Sequence, residues 1–245
     1  MLQDMTSRPS NIFNFKYFCD RYNIAKSTVS EDVSIANEAL EISGQGELVT
    51  IPGSLGGVKY IPTVNKEMAK IVQDEFCARL TDSSRILGGG FLYTSDIMYD
   101  VSFVRNLGRI FITKFKDIEA DYIVTVETKG IPLASTIAYM LNLPLVIIRR
   151  EPKFSEGSTV SINYFSGPDQ RVQKMSIAKR AVKPGSKAIV IDDFMRGGGS
   201  IKGIREILNE FEVETVATGI AIISSKPEKK KVCLLYTSDA ADDSL

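Results

Sequence analysis

The sequence predicts an α/β protein in two parts: an N-terminal winged helix-turn-helix, followed by a parallel sheet flanked by helices and carrying a projecting β-ribbon. Three observations lead there. After residue 63, short Val- and Ile-rich runs alternate with helical patterns, as in a parallel sheet covered on both faces. Before that point, two helical patterns precede a pair of β-rich runs joined by a Gly-rich loop. Between residues 151 and 182, the segment 158–165 alternates in polarity and is followed by 171–177, which together read as a ribbon leaving the sheet.

The elements follow in order. An aromatic run over 12–18 continues through Arg21-Tyr22-Asn23-Ile24 into residues 25–40, where Val29, Val33, Ala36 and Leu40 recur at helical spacing. The pattern is helix, short turn, helix. Residues 48–51 and 58–61 flank Pro52-Gly53-Ser54-Leu55-Gly56-Gly57 and predict a hairpin, the wing. A break near Ile61-Pro62-Thr63 sets a boundary, so that 1–62 form one domain, read as N-terminally incomplete, and 63–232 the second. Residues 66–80 and 101–116 read as amphipathic helices. Strands at 122–126, 145–148, 188–191 and 216–223 then alternate with helices at 133–141 and 201–211. The tail from Cys233 fits neither period, and 233–245 are expected to lie outside the fold.

Composition removes several chemistries. The chain has 245 residues, 44% hydrophobic and 24% charged, which is an ordinary globular balance. No apolar run approaches the roughly 20 residues of a membrane helix and no export signal opens the chain, so no membrane partner and a cytoplasmic location are expected. Three cysteines far apart support neither a disulfide framework nor a Cys-x-x-Cys metal site, and no metal ligand set is assigned. There is no histidine, which excludes His-ligated zinc and the His-dependent nucleophile systems. Net charge is zero, but residues 149–187 hold nine Lys/Arg against three acids, a local excess that invites an anion.

The most informative stretch is Ala188-Ile189-Val190-Ile191-Asp192-Asp193-Phe194-Met195-Arg196-Gly197-Gly198-Gly199-Ser200-Ile201. A buried strand delivers two carboxylates at its carboxyl end, where open α/β sheets bind ligands. Gly197, Gly198 and Gly199 let the backbone wrap, and Ser200 opens a helix, so amides and helix N-terminus form a cradle for phosphate. Neither the Gly-Lys-Ser/Thr ending of a Walker loop nor Gly-x-Gly-x-x-Gly is present. Asp192 and Asp193 suit a phosphorylated sugar, because carboxylates accept hydrogen bonds from ring hydroxyls. The competing reading is a surface turn with incidental acids.

This stretch resembles the phosphoribosyl-pyrophosphate (PRPP) motif of type I phosphoribosyltransferases, with Gly197 and Ser200 where Thr often stands and no acid in the spacer Phe194-Met195-Arg196. The resemblance implies a phosphoribosyltransferase-like sheet and extends to Thr128, Lys129 and Gly130, in the position of the pyrophosphate loop. It also extends to the basic arm from Lys153 to Phe165, similar to the loop that folds over PRPP, usually with Mg²⁺.

In the N-terminal part, Ala25-Lys26-Ser27-Thr28-Val29-Ser30 opens the second helix with small and polar side chains, as groove entry requires. Lys26, Ser27, Thr28 and Ser30 are the candidates for DNA contact, with Lys59 on the wing. Against this, residues 1–62 hold five basic and seven acidic side chains, where a phosphate surface is normally basic.

The combination resembles the bacterial purine operon repressor family over nearly all of residues 10–232. The strings that carry it are Ala25 to Asp32, Gly53 to Pro62, Thr128 to Ala134, Glu156 to Tyr164 and Met175 to Arg180. The resemblance implies a homodimer on operator DNA that represses purine biosynthesis genes, with PRPP as effector and guanosine tetraphosphate competing for its pocket. It places Tyr93 and Phe194 beside that pocket, and Arg196 where the family often has Lys. Two functions follow from the one scaffold: a non-catalytic sensor, and a purine phosphoribosyltransferase. The fused DNA-reading module, the missing spacer acid and the lack of an obvious nucleobase hood favour the sensor.

Overall fold

The computed structural model describes residues 1–54, 56–87, 91–152, 154–166, 171–224 and 235–237. Leu55 of the wing tip, Lys153 of the basic arm and the tail beyond 237 lie outside them, as does the side chain of Arg171.

The N-terminal module runs α1 (Leu2–Thr6), α2 (Phe15–Tyr22), α3 (Lys26–Ile42), β1 (Glu47–Ile51) and β2 (Gly57–Ile61). Asn14 caps α2 by accepting from the Lys16 N–H, and Asn23 ends it in a left-handed conformation (φ 53°), so three residues turn the chain into α3. Val29, Val33 and Leu40 of α3 are buried with Phe13, Phe18, Leu48 and Val58 in a core of their own. β1 and β2 pair antiparallel from Glu47↔Ile61 to Ile51↔Gly57. The expected helix, turn, helix and wing are all present; α1 is an addition.

The second part continues with α4 (Lys66–Leu80), the two-residue strands β3 (Ile86–Leu87) and β4 (Phe91–Leu92), α5 (Ser95–Met98) and α6 (Val101–Phe115). Then come β5 (Tyr122–Val126), α7 (Ile131–Leu141), β6 (Leu145–Ile148), the ribbon β7 (Thr159–Ser166) and β8 (Arg171–Ala178), β9 (Lys187–Met195), α8 (Gly199–Asn209), β10 (Glu214–Ile223) and β11 (Leu235–Thr237). The sheet order is β11-β10-β9-β5-β6, with every pair parallel. Leu235–Thr237, in the tail expected to lie outside the fold, pairs with β10 as an edge strand.

Strand alternation divides the core. Ile123, Ile189, Ile191, Ala217 and Ala221 point to the face covered by α6 and α7. Val124, Val146, Ile148, Val190 and Ile220 point to the other, covered by α8 and by Tyr164, Met175 and Ile177 of the ribbon. The ribbon is therefore half of a core layer and not only an arm. Gly203 of α8 permits this: a Cβ there would stand 2.9 Å from the Tyr164 ring.

Candidate functional site

β5 and β9 are neighbours, yet the chain leaves them toward opposite faces, through 127–130 into α7 and through 196–198 into α8. Such a switch point leaves a crevice at the carboxyl ends of the strands. The two strands pair only from Tyr122↔Ala188 to Val124↔Val190, while β9 runs on beside β10 as far as Met195↔Ile223. β9 is thus longer than the expected 188–191 and carries Asp192, Asp193 and Phe194 within the strand.

The acid pair divides its labour by alternation. Asp192 is 5% exposed, whereas Asp193 is half-buried on the opposite side of the strand. Burial, then the neighbouring Asp193 charge, push the Asp192 carboxyl well above the ordinary carboxylate range, against the pull of the Asp193 N–H and the Arg150 charge. Asp192 Oδ1 accepts from that N–H at 3.0 Å. Gly130 closes the other wall, because a Cβ on it would meet Thr125 Oγ1 at 2.6 Å and Asp192 Oδ1 at 2.9 Å. The two loops are therefore in contact, and only glycine fits between them.

Donors face the crevice from both sides. α8 is entered through Gly198 at φ 81°, a left-handed conformation that favours glycine, and no side chain caps it. α7 is entered through Gly130, again without a side-chain cap. Among described helices of eight residues or more, α2, α4 and α6 are capped by Asn14, Asn65 and Asp100, whereas α3, α7 and α8 have no capping side chain. Uncapped N-termini present free amides and the positive end of the helix dipole, which is what a phosphate needs. Gly197, Gly199, Ser200 and Lys129 are part-exposed at these termini, Gly198 is buried, and Thr128, Phe194 and Arg196 are exposed. Tyr93 follows β4, exposed, and its N–H donates to the Arg85 carbonyl.

Further residues border the crevice that sequence reading placed only in a basic run, or not at all. Glu127, at the end of β5, accepts from the Arg150 N–H at 2.7 Å and from Arg149 Nη1 at 3.3 Å. Arg149 Nε donates to Glu156 at 2.8 Å, tying in the base of the ribbon. Arg150 Nη1 donates to Gln173 Oε1, which also accepts from the Tyr164 hydroxyl, both at 2.7 Å. The visible signal was a basic pair ending one strand beside an acid ending its neighbour.

In the N-terminal module, Lys26, Ser27, Thr28 and Ser30 are all exposed on the first turns of α3. Lys59 is elsewhere. It is half-buried on β2 and lines a cleft with Lys116, Asp117 and Glu119 of the second part, so it is turned toward the domain junction.

Residues 1–62 match the family described as bacterial purine repressor, N-terminal, and residues 97–238 match the phosphoribosyl transferase domain. The purine biosynthesis transcriptional repressor PurR of Bacillus subtilis (strain 168) is 41% identical over 228 residues, which cover 93% of this chain and 80% of that protein. The purine biosynthesis transcriptional activator PurR of Lactococcus lactis subsp. lactis (strain IL1403) is 36% identical over 225 residues, covering 92% of this chain and 82% of that protein. A solved adenine phosphoribosyltransferase from Rhodothermus marinus superposes with a TM-score of 0.58 at 15% identity, over 71% of this chain and 98% of that one, a likeness of fold alone. With a repressor-type N-terminal domain ahead of a phosphoribosyltransferase fold, and relatives of this identity across nearly the whole chain, the protein belongs to the bacterial purine repressor family, the transcriptional regulators of purine biosynthesis.

Proposed function

We propose that the protein binds operator DNA of purine biosynthesis genes as a homodimer, through α3 and the wing, and that PRPP held in the strand-end crevice lowers its DNA affinity. The observation that carries the reading is the meeting of two uncapped helix N-termini, a Gly130 that admits no side chain, and a carboxylate pair at one switch point. PRPP carries a phosphate and a diphosphate at two separate positions of a hydroxylated ring. The amides of 197–200 take the 5-phosphate, those of 128–130 with Lys129 take the diphosphate, and Asp192 and Asp193 accept from the ribose hydroxyls. Guanosine tetraphosphate likewise carries phosphoryl groups at two separate positions of a ribose and competes, with its base between Phe194 and Tyr93 and a phosphoryl oxygen on Arg196.

Mg²⁺ fits this site as a passenger of the ligand. No group of three or more acidic or cysteine side chains is gathered among the described residues, and a small hard cation sits well on phosphoryl oxygens and water beside one carboxylate. Bound there, it supplies neutralisation of the diphosphate. The protein's own part is to fix the sugar and to hold Asp193 toward it. Coupling to DNA then follows from different PRPP affinities of two arrangements of the dimer in the cytoplasm, where the chromosome is.

The second reading, transfer of ribose 5-phosphate to a purine base, is favoured by the fold and needs no histidine. The spacer Phe194-Met195-Arg196 offers no acid, and the DNA-reading module weighs against it. Calorimetric titration with PRPP and Mg²⁺, followed by addition of adenine, guanine, hypoxanthine or xanthine, separates the two. Binding without pyrophosphate release is expected; turnover with any base assigns a transferase, and absence of binding removes PRPP as the effector.

A further inference from the structure

The crevice and the N-terminal module sit at opposite ends of the sheet. The crevice is at the carboxyl ends of β5 and β9, whereas a cleft of about 290 Å³ at the other end is lined by Ser10, Lys59 and Ile61 of the module and by Lys116, Glu119 and Leu143 of the turns before β5 and β6. Within one protomer, an effect of a ligand on DNA binding has to cross the length of the sheet.

α7 makes that crossing. It begins at the Gly130 wall of the crevice and runs 11 residues, roughly 16 Å, against the strand direction. At its far end the Tyr139 hydroxyl donates to the Ser7 carbonyl at 2.7 Å, and the Ser10 hydroxyl donates to the Met140 carbonyl at 2.7 Å. Beside α7 lies α6, packed closely enough that a Cβ on Gly108 would stand 3.1 Å from Thr136 Cγ2. From α6, Arg109 reaches the residues just beyond the DNA-reading helix. Its Nη2 donates to the Gly44 carbonyl at 2.7 Å and the Thr63 carbonyl at 2.8 Å, and Nη1 to Gln45 Oε1 at 3.2 Å.

Arg109 is an expensive fastening. It is 7% exposed, its acceptors are neutral, and its buried Nε has no partner among the described residues. Its place is at the carboxyl end of α3, where the helix dipole favours a cation. The Tyr139 contact, by contrast, borders a cleft of about 590 Å³ lined by Arg8, Pro9, Asn11 and Asn142, which leaves that seam room to shift.

We infer that Arg109 and Tyr139 are positioning residues that couple occupancy of the crevice to the placement of α3, with α7 as the rod between them. The inference rests on the PRPP reading of the crevice. A diphosphate on the first turn of α7 draws that helix along its axis, and the Tyr139–Ser7 and Met140–Ser10 contacts read the shift. Arg109 keeps the carboxyl end of α3 tied to the same helical layer.

The test measures the ratio of DNA affinities without and with PRPP and Mg²⁺, by fluorescence anisotropy on purine-gene promoter DNA, beside calorimetric PRPP affinity. The variants are Arg109→Met, Arg109→Lys, and the pair Tyr139→Phe with Ser10→Gly; glycine suits Ser10, whose φ is 58°. PRPP affinity is expected to stay within about twofold in all of them, while the ratio falls about fivefold or more in Arg109→Met and the pair, with partial rescue in Arg109→Lys. A merely structural contact would weaken DNA binding equally in both conditions, so an unchanged ratio overturns the inference. Should Arg109→Met not fold, the hydroxyl pair decides alone, since Tyr139 is 58% exposed. Wild-type protein whose DNA affinity ignores PRPP overturns the inference and the PRPP reading together, which marks that outcome off from failure of the coupling alone.

Discussion

The strand-end crevice and the N-terminal module both present helix N-termini that no side chain caps, and they differ in everything around those termini. In the crevice, two such termini converge on glycine turns and a largely buried acid pair, with the flanking basic groups held by Glu127, Glu156 and Gln173. On α3, a single terminus stands in solvent with Lys26, Ser27, Thr28 and Ser30 around it, in a module where acids outnumber basic residues. A small ligand can be gripped from two sides by one protomer. A DNA backbone touched at one weakly charged terminus is held weakly by one protomer, so the homodimer that the family resemblance implies, with two protomers on two half-sites, suits the proposal.

The largest effect is expected where the crevice is most specific. Asp192→Ala with Asp193→Ala removes two charge-assisted acceptors worth about 1.5–3 kcal/mol each. PRPP affinity, measured by calorimetry, should fall on the order of 100-fold or more, while DNA affinity without PRPP stays within about threefold. If DNA affinity falls as well, the two regions are not separable and the contrast fails.

Gly130→Ala is expected to cost about 1–3 kcal/mol in chemical denaturation, because its Cβ meets Thr125 and Asp192 and neither neighbour is a flexible chain end. A variant as stable as the parent, with undiminished PRPP binding, would mean that the two loops do not form one wall.

Asp192→Asn sharpens the same point through pH. The raised pKa of Asp192 means that the folded protein holds a proton the unfolded chain has already released, over the window above the ordinary value of 3.8. Its contribution therefore favours folding more as pH falls through that window and opposes it at neutral pH. Thermal unfolding should show Asp192→Asn more stable than the parent at pH 7, by a margin that shrinks toward pH 4. A margin that grows as pH falls contradicts the burial argument.

Lys26→Ala is the mildest change. With one phosphate contact removed, DNA binding should weaken about fivefold, and the slope of log K against log salt should become shallower by about 0.9. Lys59→Ala, turned toward the junction, should leave that slope unchanged.

Much of this is legible in the sequence alone. The strands 122–126 and 145–148 and the helix 66–80 have the predicted bounds, because alternation and helical spacing there agree with what tertiary structure buries. The acid pair and glycine turn are contiguous in sequence, so their chemistry could be read from one string. β9 overran its expected end because β10 keeps pairing with it past Asp192, a long-range fact. The short α1 and α5 carry too few residues for a periodic signal. Arg109 lies in the amphipathic helix expected over 101–116, and its burial depends on the docking of two domains, which helical spacing does not carry. Lys59 sits on a strand whose two faces both meet protein, which alternation alone does not reveal.

The most direct measurement is a fluorescence-anisotropy titration of purine-gene promoter DNA with the intact protein at fixed salt, with Mg²⁺ present, in three arms: no ligand, ribose 5-phosphate, and PRPP. DNA affinity is expected to fall at least about tenfold with PRPP and to stay nearly unchanged with ribose 5-phosphate, which lacks the diphosphate for the α7 terminus. Equal affinity in all three arms would contradict control of DNA binding from the strand-end crevice.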